Sequence, residues 1–170
     1  MPDWDEILRL DGPAVWRTAY RIVGNRADAD ECFQEAFLAA WKVARRTPVR
    51  HWQALLKRLV TARAVDRLRS RLRQRSHEAS TDWEALPGAE PSPSKTSEDE
   101  KLSTDLREAL AGLPPKQATA FCLQVLDDCT YVEISDNLAE TTDAVGVLLH
   151  RARQRLRRFL SSSPASEKRS

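Results

Sequence analysis

Glycine is scarce, at 5 residues in 170, and long stretches run without proline. With so little punctuation the chain reads as mostly helix, and no strand-like alternation or internal repeat competes. The same scarcity leaves no Gly-rich phosphate loop, and neither HExxH nor a nucleophile elbow occurs. His51, His77 and His150 fall in a loop, a linker and a basic helix, so an enzyme is the least favoured class. Cysteine is limited to Cys32, Cys122 and Cys129, an odd number without a CxxC pair. Each sits in or beside an apolar helical stripe, which marks reduced core cysteines; a zinc site built from Cys122, Cys129 and a histidine is the alternative. No apolar run approaches the ~20 residues needed to span a bilayer. The first residues, MPDWDEILRL, are acidic and lack the apolar segment of a signal peptide, so a cytoplasmic location without a membrane span is expected. No cofactor is expected either.

What the chain does have is segregated charge. The formal net charge is +2. Residues 57–75 nevertheless carry Lys57, Arg58, Arg63, Arg67, Arg69, Arg71, Arg73 and Arg75 against Asp66 alone. From Thr81 to Glu100 the balance reverses, with Asp82, Glu84, Glu90, Glu98, Asp99 and Glu100 against Lys95. The first block suits a polyanion such as DNA or RNA. The second, rich in Pro and Ser, cannot build a core and reads as a linker over 76–100, with Trp83 and Leu86 its only apolar anchors. At 41% apolar and 31% charged residues the chain is an ordered protein with room for one domain or two small ones.

In order, residues 3–24 read as one or two helices with a break at Gly12-Pro13, ended by Gly24-Asn25. The next helix turns Cys32, Phe33, Ala36, Phe37, Ala40 and Trp41 to one face. Glu31, Gln34, Glu35 and Leu38 lie together on another, either an ordinary wet face or a docking surface for a basic partner. After a loop at 47–51, Trp52 opens a long helix with Leu55, Leu56, Leu59, Val60, Val65, Leu68 and Leu72 on its core side. From Arg67 to Arg75 arginine takes every second position, so charge wraps this helix and keeps it in solvent. Ser97 with Glu100 forms a capping-box pattern before a helix ended by Gly112. Pro114-Pro115 starts the next, with Ala118, Phe121, Cys122, Val125 and Leu126 inward.

Thr130 and Glu133 form a further capping box, ahead of a short helix with Ile134 and Leu138 on its stripe. Ala139-Glu140 interrupts it, and Thr141 or Thr142 caps a longer helix whose inner side is Val145, Leu148, Leu149, Ala152 and Leu156. His150, Arg151, Arg153, Arg155, Arg157 and Arg158 lie on the outer side. This is the pattern of a helix-turn-helix, shared with a plain helical hairpin that has a solvated basic face. The expected fold is therefore all-α: two small helical domains, 1–75 and 101–160, joined by a flexible acidic linker over 76–100, the second a helix-turn-helix, with a disordered tail at 161–170.

Three stretches carry a resemblance. YRIVGNRADADECFQEAFLAAW, WQALLKRLVTARAVDRLRSR and LPPKQATAFCLQVLDDCTYVEISDNLAETTDAVGVLLHRARQRLRR cover nearly all of 16–74 and 110–158 in order. Together they resemble the extracytoplasmic-function group of bacterial RNA polymerase sigma factors. The resemblance implies core RNA polymerase and promoter DNA as partners, and admits an anti-sigma protein. It implies that Glu31, Gln34, Glu35 and Leu38 grip the clamp helices of the largest polymerase subunit. Arg50, His51, Lys57, Arg58, Thr61, Arg63 and Arg67 would capture and melt the downstream promoter element. Thr142, Asp143, Val147, His150, Arg151, Arg153 and Arg155 would meet the upstream element, while the same module grips the flap of the second-largest subunit. Two departures stand out: Ala62 where the family often has Asn, and Gly146, Val147 and Leu148 where it often has a basic residue, Ser and Arg.

Two other classes fit part of this pattern. A repressor or activator acting without polymerase would need a dimer interface for paired half-sites, and no zipper repeat or sensing domain is visible. A helical interaction adaptor would leave the arginines dispensable. The linker itself is testable. Deleting Thr81–Pro93 is expected to leave both helical units folded, since few apolar contacts cross such a segment, and to lower initiation because the units no longer span both promoter elements. Thermal unfolding by circular dichroism and run-off transcription with core polymerase check the two halves of this statement; loss of the thermal transition would put these residues in a core.

Overall fold

The computed structural model describes residues 1–79 and 104–162, which form seven helices and no strand among them. Residues 80–100 of the expected linker, with the Ser97–Glu100 capping pattern, and the last residues of the tail lie outside the described residues, whereas 76–79 belong to a helix.

The order is α1 (Trp4–Val23), α2 (Arg26–Ala44), α3 (Trp52–Ala79), α4 (Thr104–Ala111), α5 (Pro115–Asp127), α6 (Tyr131–Leu138) and α7 (Thr142–Ser162). Asp3 caps α1 by accepting from the Glu6 N–H at 3.1 Å. The helix does not break at Gly12-Pro13: Pro13 lies inside α1. Proline there removes one intrahelical bond, but Ile7 before it and Val15 after it are buried in the same core, which holds both segments on one axis. Gly24 ends the helix at φ +80°, its N–H returning to the Tyr20 carbonyl at 2.8 Å. Asn25 starts α2 by accepting from the Asp28 N–H at 2.9 Å. A two-residue turn thus ends one helix and begins another.

Small residues let α2 approach closely. Ala29, Cys32, Ala36 and Ala40 are buried against a core that includes Val15, Ala19 and Ile22 of α1 and Leu56, Val60, Ala64 and Leu68 of α3. Trp41 misses this face and is 44% exposed, stacked under the Arg45 guanidinium at 4.9 Å. Val125 of α5 and Leu72 of α3 also lie outward, at the edges of their stripes.

The core does not stop at the expected domain boundary. Leu110, Leu113, Ala118, Cys122, Ala152 and Leu156 belong to the same apolar cluster as the residues of α1–α3. Each large aliphatic side chain buried there stabilises the fold by about 1.5–3 kcal/mol. A second, smaller cluster, Ala120, Leu123, Ile134, Val145 and Leu149, holds α5, α6 and α7 together. α3 runs on to Ala79, past Arg75.

A polar seam reinforces the joint. Arg107 of α4 donates from Nε to the Ile22 carbonyl at 2.7 Å and from Nη2 to that of Arg21 at 3.3 Å. Arg71 donates to the Val23 carbonyl at 2.9 Å and pairs with Asp28. Arg69 donates to the Leu113 carbonyl at 2.6 Å. Those of Arg21, Ile22 and Val23 are the orphan acceptors at the end of α1, where cations are favoured, and that of Leu113 lies in the turn between α4 and α5. Arginines that the sequence pattern left in solvent are therefore partly internal, because the guanidinium is long enough to reach main-chain carbonyls across the joint. Burial, then the neighbouring Arg71 charge, pulls the Arg107 guanidinium below its ordinary pKa.

Asp127 ends α5 inside this seam. Its Oδ1 accepts from the Thr18 hydroxyl at 2.9 Å and lies 3.9 Å from Lys57 Nζ, while its Oδ2 is buried with no hydrogen-bond partner among the described residues. Burial raises its pKa against the opposing pull of Thr18, Lys57 and Arg21. Between the ordinary carboxylate value and this raised one, the folded chain holds more protons than the unfolded chain, so stability falls as pH rises through that window. Asp127→Asn is expected to flatten that slope, as read by urea unfolding across mildly acidic to neutral pH; an unchanged slope would remove Asp127 as its source.

Candidate nucleic-acid and polymerase interface

The helix-turn-helix is built locally. Thr130 accepts from the Glu133 N–H at 3.2 Å while Glu133 accepts from the Thr130 N–H at 2.9 Å, closing the capping box that opens α6. Ala139 ends α6 in the left-handed region at φ 53°. Thr141 then accepts from the Ala144 N–H at 3.1 Å and starts α7. Val145, Leu149, Ala152 and Leu156 bury one side of α7. Thr142, Asp143, Val147, His150, Arg151 and Arg155 are exposed on the other. Arg153 behaves differently: it is half-buried and donates to Gln124 Oε1 of α5.

On α2, Glu31, Gln34 and Leu38 are exposed and Glu35 is half-buried, one strip along the helix with Leu38 60% exposed. Arg67 of α3 reaches this strip, pairing with Glu31 and lying 3.7 Å from Asp28. Two side chains predicted for different partners are thus in contact.

The loop before α3 and the first turns of that helix form the third element. Arg50 and His51 are exposed, Arg58 is half-buried and Arg63 exposed. Thr61 is fully buried, its hydroxyl without a hydrogen-bond partner among the described residues. Arg50, His51 and Lys57 form one wall of a cleft of about 750 Å³ whose opposite wall holds Asp127, Asp128, Glu133 and Asp136. The cationic loop therefore faces a carboxylate-lined wall contributed by α5 and α6. Coulombic attraction between such walls is modest where water enters and screened by salt.

Cys32 and Cys122 are buried, and burial raises their thiols to about 11 and about 12. Among the described residues no group of three or more His, Cys, Asp or Glu side chains is placed to hold a metal.

Comparison with known proteins bears on both halves. Sigma-70 region 2 matches residues 7–74, and sigma-70 region 4 matches residues 103–156. The chain is 30% identical over 155 residues to RNA polymerase sigma factor SigV of Bacillus subtilis, covering 89% of this chain and 87% of that protein. This chain belongs to the extracytoplasmic-function group of sigma-70-type factors. It is also 33% identical over 161 residues to the ECF RNA polymerase sigma factor SigE of Mycolicibacterium smegmatis, covering 95% of this chain but 63% of that longer relative. Its fold is similar to that of the sigma factor RpoE from Bartonella quintana, solved in complex with the anti-sigma factor NepR, at a TM-score of 0.58 and 19% identity, covering 96% of this chain and 99% of that one. The family consists of transcription initiation factors, not enzymes.

In this sigma factor the sequence pattern missed Arg69, Arg71, Arg107 and Asp127 as seam residues. A signal existed for Asp127, a carboxylate directly continuing the apolar stripe of α5. None existed for the arginines, whose acceptors are backbone atoms far along the chain. The geometry of α7 also separates two arginines of similar sequence context. Arg151→Ala is expected to lower the salt dependence of promoter binding by about one released counterion. Arg153→Ala is expected to leave that slope nearly unchanged and to lower the thermal midpoint, because its guanidinium is engaged by Gln124. Binding titrations at several salt concentrations, with thermal melts, separate the two.

Proposed function

We propose that this chain docks on core RNA polymerase and directs promoter recognition and transcription initiation in the cytoplasm. Its residues 1–75 carry polymerase docking and downstream-element melting, and residues 101–160 carry upstream-element reading, with 76–100 as the connector. One observation supports this above a free-standing repressor: the molecule presents two unrelated exposed surfaces. α7 offers a stripe backed by arginines, whereas α2 offers an acid- and amide-bearing strip around an exposed leucine. A repressor has use for the first surface only.

In this reading Glu31, Gln34, Glu35 and Leu38 meet the clamp helices of the largest subunit. Arg50, His51, Lys57, Arg58, Arg63 and Arg67 form the downstream surface, of which Arg50, His51 and Arg63 are open to solvent; Thr61, expected there from the sequence, is fully buried beneath it and supports the helix instead. Lys57 lies 3.9 Å from Asp127, so that contact is given up when Lys57 reaches DNA. Thr142, Asp143, Val147, His150, Arg151 and Arg155 belong to the upstream surface, while Arg153, expected there from the sequence, is held against α5 by Gln124; the flap of the second-largest subunit is a further contact of that half. An anti-sigma protein is a further partner in this reading, by likeness to RpoE, whose solved structure is a complex with one.

Charge reversal tests the docking strip. Glu35→Lys is expected to abolish co-purification with core polymerase at unchanged helical content, because a broken desolvated charge pair leaves its partner uncompensated at a cost of about 2–5 kcal/mol. Retained co-purification would defeat the assignment.

A further inference from the structure

The outward stripe of α7 has an unusual composition for a helix entering a major groove. Asp143, Val147, His150 and Gln154 are all exposed and succeed one another at helical spacing opposite the buried side. No lysine or arginine precedes Arg151 on this helix. Bidentate Arg–guanine pairing, the commonest specific contact, is therefore missing from the turns that lead into the groove.

What occupies the centre of the stripe is an aliphatic side chain, Val147, 48% exposed. A lone surface valine would mean little, but two neighbours shape its surroundings. Gly146 carries no side chain, which leaves room beside Val147 for a neighbouring ring. The ring of Tyr131, itself 40% exposed, lies against Gly146, where an added Cβ would be 3.6 Å from its Cε2. The result is an apolar ledge on an otherwise polar surface, followed along the helix by exposed Arg151, Arg155, Arg157 and Arg158, which match the charge of flanking phosphates. Among the groups a base pair shows in the major groove, only the thymine 5-methyl is apolar.

We infer that Val147 reads a thymine, packing its methyl groups against the 5-methyl of one base in the upstream element, and that this contact replaces an arginine–guanine pair as the leading sequence-specific contact of α7. The inference rests on the docking of α7 proposed above. It commits the upstream element to one methyl-bearing step whose recognition is independent of salt.

The experiment uses the full chain with core RNA polymerase and a duplex library randomised over both promoter elements. Its best sequence is then re-measured with each upstream thymine singly replaced by deoxyuracil, which deletes only the methyl. One position is expected to lose affinity about three- to fivefold, the scale of one buried methyl group. That loss should disappear with Val147→Ser and persist with Val147→Thr, which keeps a methyl. Changing the thymine to cytosine should weaken binding, and 5-methylcytosine at that step should recover part of the loss. If every thymine tolerates deoxyuracil, or if the penalty survives Val147→Ser, the inference is overturned while the initiation function stands. If no sequence is enriched at all, the docking of α7 on DNA fails and the inference falls with it.

Discussion

The carbonyls left over at the end of α1 need donors, and the way they are supplied organises the joint between the two halves. Gly24 takes one by turning left-handed, which leaves Arg21, Ile22 and Val23 facing the second half of the chain. Arg107 from α4 and Arg71 from α3 fill those positions. Glycine suits this position by its left-handed conformation, and an added Cβ, 2.5 Å from the Arg107 guanidinium, would push that side chain off its acceptors. Once α4 is anchored in this way, Leu110 and Leu113 fall into the core beside α3, and α5 follows with Ala118 and Cys122.

Charge on this molecule works in two registers. On the surface it is exposed to solvent, in the arginines of α7 and the carboxylates of α2. In the seam it is spent on backbone acceptors and on Asp127, in places where a guanidinium or carboxylate loses water and must be compensated by hydrogen bonds. The near-neutral net charge conceals both. Arg67 stands between them, since it belongs to the basic helix yet pairs with Glu31 on the acidic strip of α2. Lys57 of the same helix is likewise drawn to Asp127.

The helix-turn-helix differs because it closes on itself. Ile134, Val145 and Leu149 form a cluster with α5 that does not depend on α1–α3, and its caps are made by residues within four positions of one another. α7 connects this unit to the larger core through Ala152 and Leu156. The leading turns of the helix, with their exposed stripe, stay outside that packing and remain open to a groove.

The sequence by itself determined whatever depends on neighbours along the chain. The Thr130–Glu133 box, the Gly24-Asn25 turn and the stripes of α2 and α7 are set by spacings of three and four residues, and helical geometry converts such spacings directly into faces. Family membership was legible for the same reason, as runs of residues in order. Tertiary structure alone decided how the faces combine. It carried α1 through Pro13, because Ile7 and Val15 share one core. It turned Trp41 and Val125 outward, because each lies at the edge of a stripe whose centre is already filled, by Ala36 and Ala40 on α2 and by Cys122 and Leu123 on α5. It joined the two halves through one core and drew Arg69, Arg71 and Arg107 inward. The acceptors of those arginines are main-chain carbonyls, which every residue possesses and no residue type advertises, so only the packed fold could reveal which ones are within reach.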